Sequence, residues 1–171
     1  ALWVPRAKTP VKSKAPKKPA IPAGLGAPAG SFDLHFHGAF GIDLMTAEPQ
    51  HLDALCQKLR KAGNSAFLAT TLSTPIPMFE AALERLGQWI RSKWEQGPIR
   101  SEAFCVGIHL EGPFLAQSCC GAHPPECLRD PNLELLQKWW ELSRHTLARI
   151  TLAPERGSSE EIKKILKFCR K

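Results

Sequence analysis

Gly107-Ile108-His109-Leu110-Glu111-Gly112-Pro113-Phe114-Leu115 runs an apolar strand straight into a carboxylate, and Gly-Pro ends the strand at that point. A loop containing Gly121-Ala122-His123 follows. Upstream stands a second polar strand end, Asp33-Leu34-His35-Phe36-His37-Gly38. Histidines at i and i+2 of a strand share one face. Two neutral imidazoles beside a carboxylate brought in by another strand form an ordinary ligand set for Zn²⁺ or a similar divalent ion.

Outward from these stretches, the apolar periodicity predicts four strand–helix pairs. Ser31–His37 is the first strand, followed by a helix over Gln50–Ala62 with Leu52, Leu55, Cys56 and Leu59 on one face and Gly63 as its stop. Ser65–Leu72 is the second strand, and Pro77–Lys93 its helix, with Phe79, Ala82, Leu83, Leu86 and Ile90 as the stripe. Ala103–Leu110 is the third strand; Asp130-Pro131 opens a helix carrying Leu133, Leu136, Trp139 and Trp140. Leu147–Ala153 is the fourth, and Ser158-x-x-Glu161 is a capping box in front of Ile162, Ile165, Leu166 and Cys169. Strands alternating with amphipathic helices imply an α/β fold with a parallel sheet and right-handed crossovers. Such folds build their sites at the carboxyl ends of the strands. His35, His37 and Glu111 all fall at that edge.

Length and charge set further bounds. A chain of 171 residues with 43% hydrophobic residues is long enough for one domain with a substantial core. No apolar run approaches the roughly 18 residues of a membrane helix, and Pro and Lys break the N-terminal apolar residues, so no signal segment is expected. The first 32 residues hold six of the 23 basic residues and no acidic one, leaving 17 basic against 16 acidic in the rest. The basic character therefore belongs to a Pro/Lys-rich tail, residues 1–30, expected to be disordered and extended. Residues 31–171 form the folded domain. Nucleic-acid binding through the tail is not expected, since no aromatic residue after Trp3 interleaves with its lysines. Cys56, Cys105 and Cys169 sit at apolar helix or strand positions, and no secretory context supports disulfides, so a reducing cytoplasm is expected.

From about Phe32 onward the chain resembles the first half of the N-acetylglucosamine-6-phosphate deacetylases of the amidohydrolase superfamily. The resemblance rests on three segments in order: Asp33-Leu34-His35-Phe36-His37-Gly38; His109-Leu110-Glu111-Gly112-Pro113-Phe114 with Gly121-Ala122-His123; and Thr151-Leu152-Ala153-Pro154-Glu155. It implies a partial (β/α)8 barrel of about four units, metal-dependent amide hydrolysis, and N-acetylglucosamine 6-phosphate as substrate, giving glucosamine 6-phosphate and acetate. It assigns Glu111, His35 and His37 to the metal, zinc first and iron as the alternative, and Ala122 and His123 to the substrate. His109 reads as a supporting residue. The family's catalytic aspartate and two further metal-binding histidines are expected beyond Lys171, so none of the residues here is assigned as the general acid or base. One departure stands out: Cys119-Cys120 occupies the place of a usual basic pair. A zinc site from Cys119, Cys120, His123 and Cys127 is the weaker reading, because adjacent cysteines seldom reach one tetrahedral ion.

Two functional expectations follow. The chain belongs to an active deacetylase, or it is a truncated, catalytically incomplete half-barrel that acts only by association. Exposed strand edges and an open inner face favour pairing with a second copy, as a dimer, or with the rest of the barrel.

Overall fold

In the computed structural model the described residues are 30–170. The expected tail lies outside them. The strands are β1 (Ser31–Phe36), β2 (Gly38–Ala39), β3 (Ile42–Asp43), β4 (Asn64–Thr70), β5 (Phe104–Glu111) and β6 (Leu147–Thr151). The helices are α1 (Pro49–Lys61), α2 (Ile76–Gln96), α3 (Leu133–Leu142) and α4 (Ser159–Cys169). Four strands form one parallel sheet in the order β1-β4-β5-β6, and β2 and β3 make a small antiparallel hairpin. The α/β architecture and the parallel sheet are as the periodicity predicts.

The strands follow one another across the sheet in chain order. A doubly wound sheet reverses its order partway; this one does not. The sheet is also bent. Arg149 on β6 donates from Nη1 to the Leu34 carbonyl on β1 at 3.3 Å, across two intervening strands. In a flat four-stranded sheet those outer strands would be about 14 Å apart, beyond the span of one arginine side chain. One face is therefore concave.

The other face carries the helices. Leu52, Leu55, Cys56 and Leu59 of α1 are buried, as are Phe79, Ala82, Leu83, Leu86 and Ile90 of α2, matching the predicted stripes. All of these but Ala82 share one apolar cluster with Phe36, Phe67, Ala69, Cys105, Ile108 and Leu110 from the strands, and with Trp139 and Ile165 from α3 and α4. Trp139 is the largest buried side chain, edge-on to Phe79 at 5.0 Å and stacked on Phe114 at 5.2 Å. It joins α2, α3 and the loop after β5, and truncating it to alanine would cost about 3–5 kcal/mol.

Several boundaries shift for local reasons. Asn132, not Asp130, caps α3: its side chain accepts from the Leu135 N–H at 2.8 Å, while Asp130 pairs with Arg156 at 2.7 Å. The Ser158 cap forms as predicted, accepting from the Glu161 N–H at 3.2 Å. The Glu161 carboxylate, however, takes the Leu133 N–H at 2.6 Å and so ties α4 to the start of α3. Cys169 is exposed at the end of α4, whereas Cys127, in the loop after β5, is buried. The hairpin at Gly38–Asp43 was not anticipated. Gly38 has φ of 142°, and a Cβ there would lie 2.1 Å from the Ile42 carbonyl oxygen, so only glycine permits this tight return.

Candidate metal centre

At the carboxyl edge of the sheet the backbone sets the histidines. Asp33 accepts the His35 N–H at 3.0 Å, Thr70 Oγ1 accepts the Phe36 N–H at 2.9 Å, and the His37 carbonyl accepts from the Leu44 N–H, just after the hairpin, at 3.0 Å. Phe36 is buried, with its ring 5.3 Å from that of Phe67. This anchors one face of the strand end and leaves the imidazoles on either side of it to converge on the other. Glu111 arrives on β5, paired in register with Thr151 of β6 and tied through its backbone N–H to Thr71 Oγ1 at 3.2 Å.

The three side chains meet. His35 Nε2 is 3.0 Å from His37 Nε2 and 3.1 Å from Glu111 Oε2, and His37 Nε2 is 3.2 Å from the same oxygen. Hydrogen bonds cannot satisfy this triangle. With the carboxylate ionised and both imidazoles neutral, two Nε2–H donors toward Glu111 would face each other across 3.0 Å. Turning either ring to its other tautomer aims a lone pair at the carboxylate. A cation among the three atoms satisfies every edge at once. The edges also match the roughly 3.3 Å separation of ligand atoms that are 2.0–2.1 Å from a tetrahedral zinc ion. The donor set thus fits a divalent metal, and it is the group of metal-competent side chains found among the described residues.

His123 joins from the loop after β5 and is buried, with 6% exposure. Its Nδ1 accepts the Ser73 backbone N–H at 3.1 Å and lies 2.7 Å from Ser73 Oγ, while its Nε2 lies 3.4 Å from Glu111 Oε2. Gly112 makes room: with φ of 69°, it brings its backbone so close that a Cβ would lie 2.2 Å from Ser73 Oγ and 3.1 Å from His123 Nδ1. Ala122 is exposed beside it. Because both His123 nitrogens are engaged here, the cysteine-based zinc alternative does not assemble among the described residues. Cys119 is exposed and the Cys127 thiol is buried.

His109 lies beneath the cluster. Its Nδ1 meets Thr70 Oγ1 at 3.2 Å and its Nε2 meets Thr151 Oγ1 at 2.8 Å, with its ring edge-on to that of His35 at 5.1 Å. Burial first, and then the charge of Arg149, pushes its pKa down to about 4, so it is a neutral spacer at neutral pH. Ser73, Thr70 and Thr71 escaped the sequence reading, and Thr151 entered it only as part of a matched segment, with no role assigned. A run of hydroxyl residues after an apolar strand, Thr70-Thr71-Leu72-Ser73-Thr74, was the available signal.

The chain is similar to known proteins. No family model matches the chain. N-acetylglucosamine-6-phosphate deacetylase of Bacillus subtilis is 33% identical over 162 residues, which is 92% of this chain and 40% of that protein. N-acetylgalactosamine-6-phosphate deacetylase of Escherichia coli O157:H7 is 36% identical over 72% of this chain and 31% of its own length. Among solved structures, a mutant N-acetyl-D-glucosamine-6-phosphate deacetylase of Mycobacterium smegmatis in complex with N-acetyl-D-glucosamine-6-phosphate superposes with a TM-score of 0.68. It is 25% identical, and the match covers 82% of this chain and 35% of that one. The chain spans about two fifths or less of the length of these relatives. By sequence and by fold, the chain belongs to the N-acetylglucosamine-6-phosphate deacetylase family and corresponds to less than half of its length.

Proposed function

We propose that this chain supplies the metal-binding side of a deacetylase that converts N-acetylglucosamine 6-phosphate to glucosamine 6-phosphate and acetate. The observation that carries the reading is the His35–His37–Glu111 triangle, which hydrogen bonds between an ionised carboxylate and two neutral imidazoles do not satisfy, in a chain related to deacetylases. These three residues hold a divalent ion, with zinc the first choice and iron the second. When bound, such an ion supplies Lewis acidity toward an amide oxygen and toward water. His123 presents Nε2 to the same space and suits the acetyl oxygen, and Ala122 beside it suits the sugar. The Escherichia coli relative makes the galactosamine epimer the runner-up substrate.

Amide hydrolysis also needs a proton delivered to the leaving amine. We assign that step to an aspartate outside this chain, and we read the curved sheet as one half of a (β/α)8 barrel. Phe32 and Leu34 on the edge strand β1 are 46% and 48% exposed, which favours association with the remaining strands or with a second copy. No described helix is long and apolar enough to cross a membrane. The six unpaired cysteines suit a reducing cytoplasm.

The test is acetate release from N-acetylglucosamine 6-phosphate with Zn²⁺ or Fe²⁺. The 171-residue chain alone should show little or no turnover, about 10²–10⁴-fold below a complete enzyme from the missing acid–base step alone. A separate polypeptide carrying the remaining strands and helices of the family should restore it. Robust turnover by the chain alone, abolished by Glu111→Gln, would show that it is catalytically complete. No turnover in any combination would overturn the substrate assignment.

A further inference from the structure

His123 is surrounded in a way that fixes where its proton sits. The Ser73 backbone N–H can only donate, and it points at Nδ1 from 3.1 Å. Nδ1 must therefore hold a lone pair, and the Ser73 hydroxyl at 2.7 Å adds a second donor to the same nitrogen. A neutral imidazole with a bare Nδ1 carries its proton on Nε2. That N–H faces Glu111 Oε2 at 3.4 Å, at the rim of the His35–His37–Glu111 triangle. Ser73 is fully buried and His123 nearly so, so water does not compete for the contact.

We propose that Ser73 is a positioning residue that locks His123 as an Nε2–H donor and so bars it from the metal. Three imidazoles crowd one carboxylate oxygen, at 3.1, 3.2 and 3.4 Å. Without the lock, His123 could turn its Nε2 lone pair to the cation and become a third imidazole ligand. With it, two imidazoles offer lone pairs and the third offers a proton to an electron-rich group beside the metal. Gly112 is part of the device, since any side chain there would drive Ser73 and His123 apart. The inference rests on the metal reading above for its purpose, but the tautomer itself stands on hydrogen-bond geometry alone.

The experiment uses the whole chain with ¹⁵N-labelled histidine, read by nitrogen chemical shifts and by direct coupling to added ¹¹³Cd²⁺. His123 Nδ1 should resonate as an unprotonated nitrogen and Nε2 as a protonated one, with and without the ion. Cadmium coupling should appear at the Nε2 atoms of His35 and His37 and be absent at His123. Ser73→Ala keeps the backbone donor and should retain the tautomer. Ser73→Pro removes both donors, so the Nδ1–H form should appear, together with cadmium coupling at His123. Should the proline variant not fold, the wild-type spectra still decide. A protonated Nδ1 or a cadmium-coupled Nε2 at His123 in the wild type would overturn the proposal while leaving the metal centre standing. Absence of coupling at His35 and His37, with the His123 tautomer intact, would overturn the metal centre and leave the Ser73 lock on the tautomer standing.

Discussion

The two ends of the sheet each gather charged groups, and they do so in opposite ways. At the amino end, Lys93 of α2 sits 2.7 Å from Glu102 and 3.2 Å from Asp53, and Asp53 also accepts from Trp89 Nε1 at 3.0 Å. Burial lowers the pKa of Lys93, but the hydrogen bonds to Glu102 and Asp53 more than reverse this and hold it above the ordinary lysine value. The nearby thiols are silenced by burial, which pushes Cys105 up to about 12 and Cys56 higher still. Every charge there has an opposite partner, with Lys93 shared between two carboxylates. At the carboxyl end, one carboxylate oxygen meets three imidazole nitrogens within 3.4 Å, and no lysine or arginine among the described residues pairs with it. A cluster whose charges pair among themselves holds helices together. One that concentrates donors around a single point needs a ligand to balance it.

Removing one charge from each end should separate these roles. The largest effect is expected at the amino end: Lys93→Met leaves Glu102, only 11% exposed, without its cation and should cost about 3–5 kcal/mol in denaturant unfolding. Glu111→Gln in metal-free protein should leave stability nearly unchanged. A large loss there would mean that the carboxyl cluster is structural too.

The metal response should be the mirror image. Glu111→Gln should weaken Zn²⁺ binding by more than about 100-fold in a chelator competition, because loss of a ligand exceeds the usual effect of losing a supporting group. Glu155→Gln, on an exposed turn, should bind like the parent chain. Zinc at 100 times its Kd should stabilise the parent by about 2.7 kcal/mol and the Glu111 variant hardly at all. Equal stabilisation of both would place the ion elsewhere.

Smaller effects sharpen the picture of the carboxyl edge. Gly112→Ala must accommodate a Cβ against Ser73 and His123 at φ of 69°; a loss somewhat above 1 kcal/mol in thermal melts is expected. Asn132→Ala should cost about 1 kcal/mol as a lost helix cap. Asp130→Ala should cost less than about 0.5 kcal/mol, since its pair with Arg156 is exposed on both sides. The reverse order would return the cap to Asp130.

What could be read in advance was periodic or local. The stripes Leu52-Leu55-Cys56-Leu59 and Phe79-Ala82-Leu83-Leu86-Ile90 repeat at helical spacing, and the core buries them all. Glu111 and the histidine pair were marked by strand ends, where the apolar run stops and a polar group begins. Position 132 won the cap over 130 because a cap depends on where the first helical turn closes, which residue type alone does not settle. Ser73 lies 50 positions from His123, and its contribution is a main-chain N–H that any residue but proline would carry. Nothing in its identity announces that contact.

The sequence by itself therefore determined the alternation of strands and helices, the apolar faces that hold the sheet against them, and the chemical types gathered at its carboxyl edge. Those follow from residue spacing and side-chain chemistry, which act within a few positions. Whether His35, His37 and Glu111 close to within 3.2 Å, and which nitrogen of His123 bears the proton, depended on packing across separate strands and loops. Strand register, the Gly112 turn and the burial of Ser73 set those distances, and they exist only once the elements are assembled.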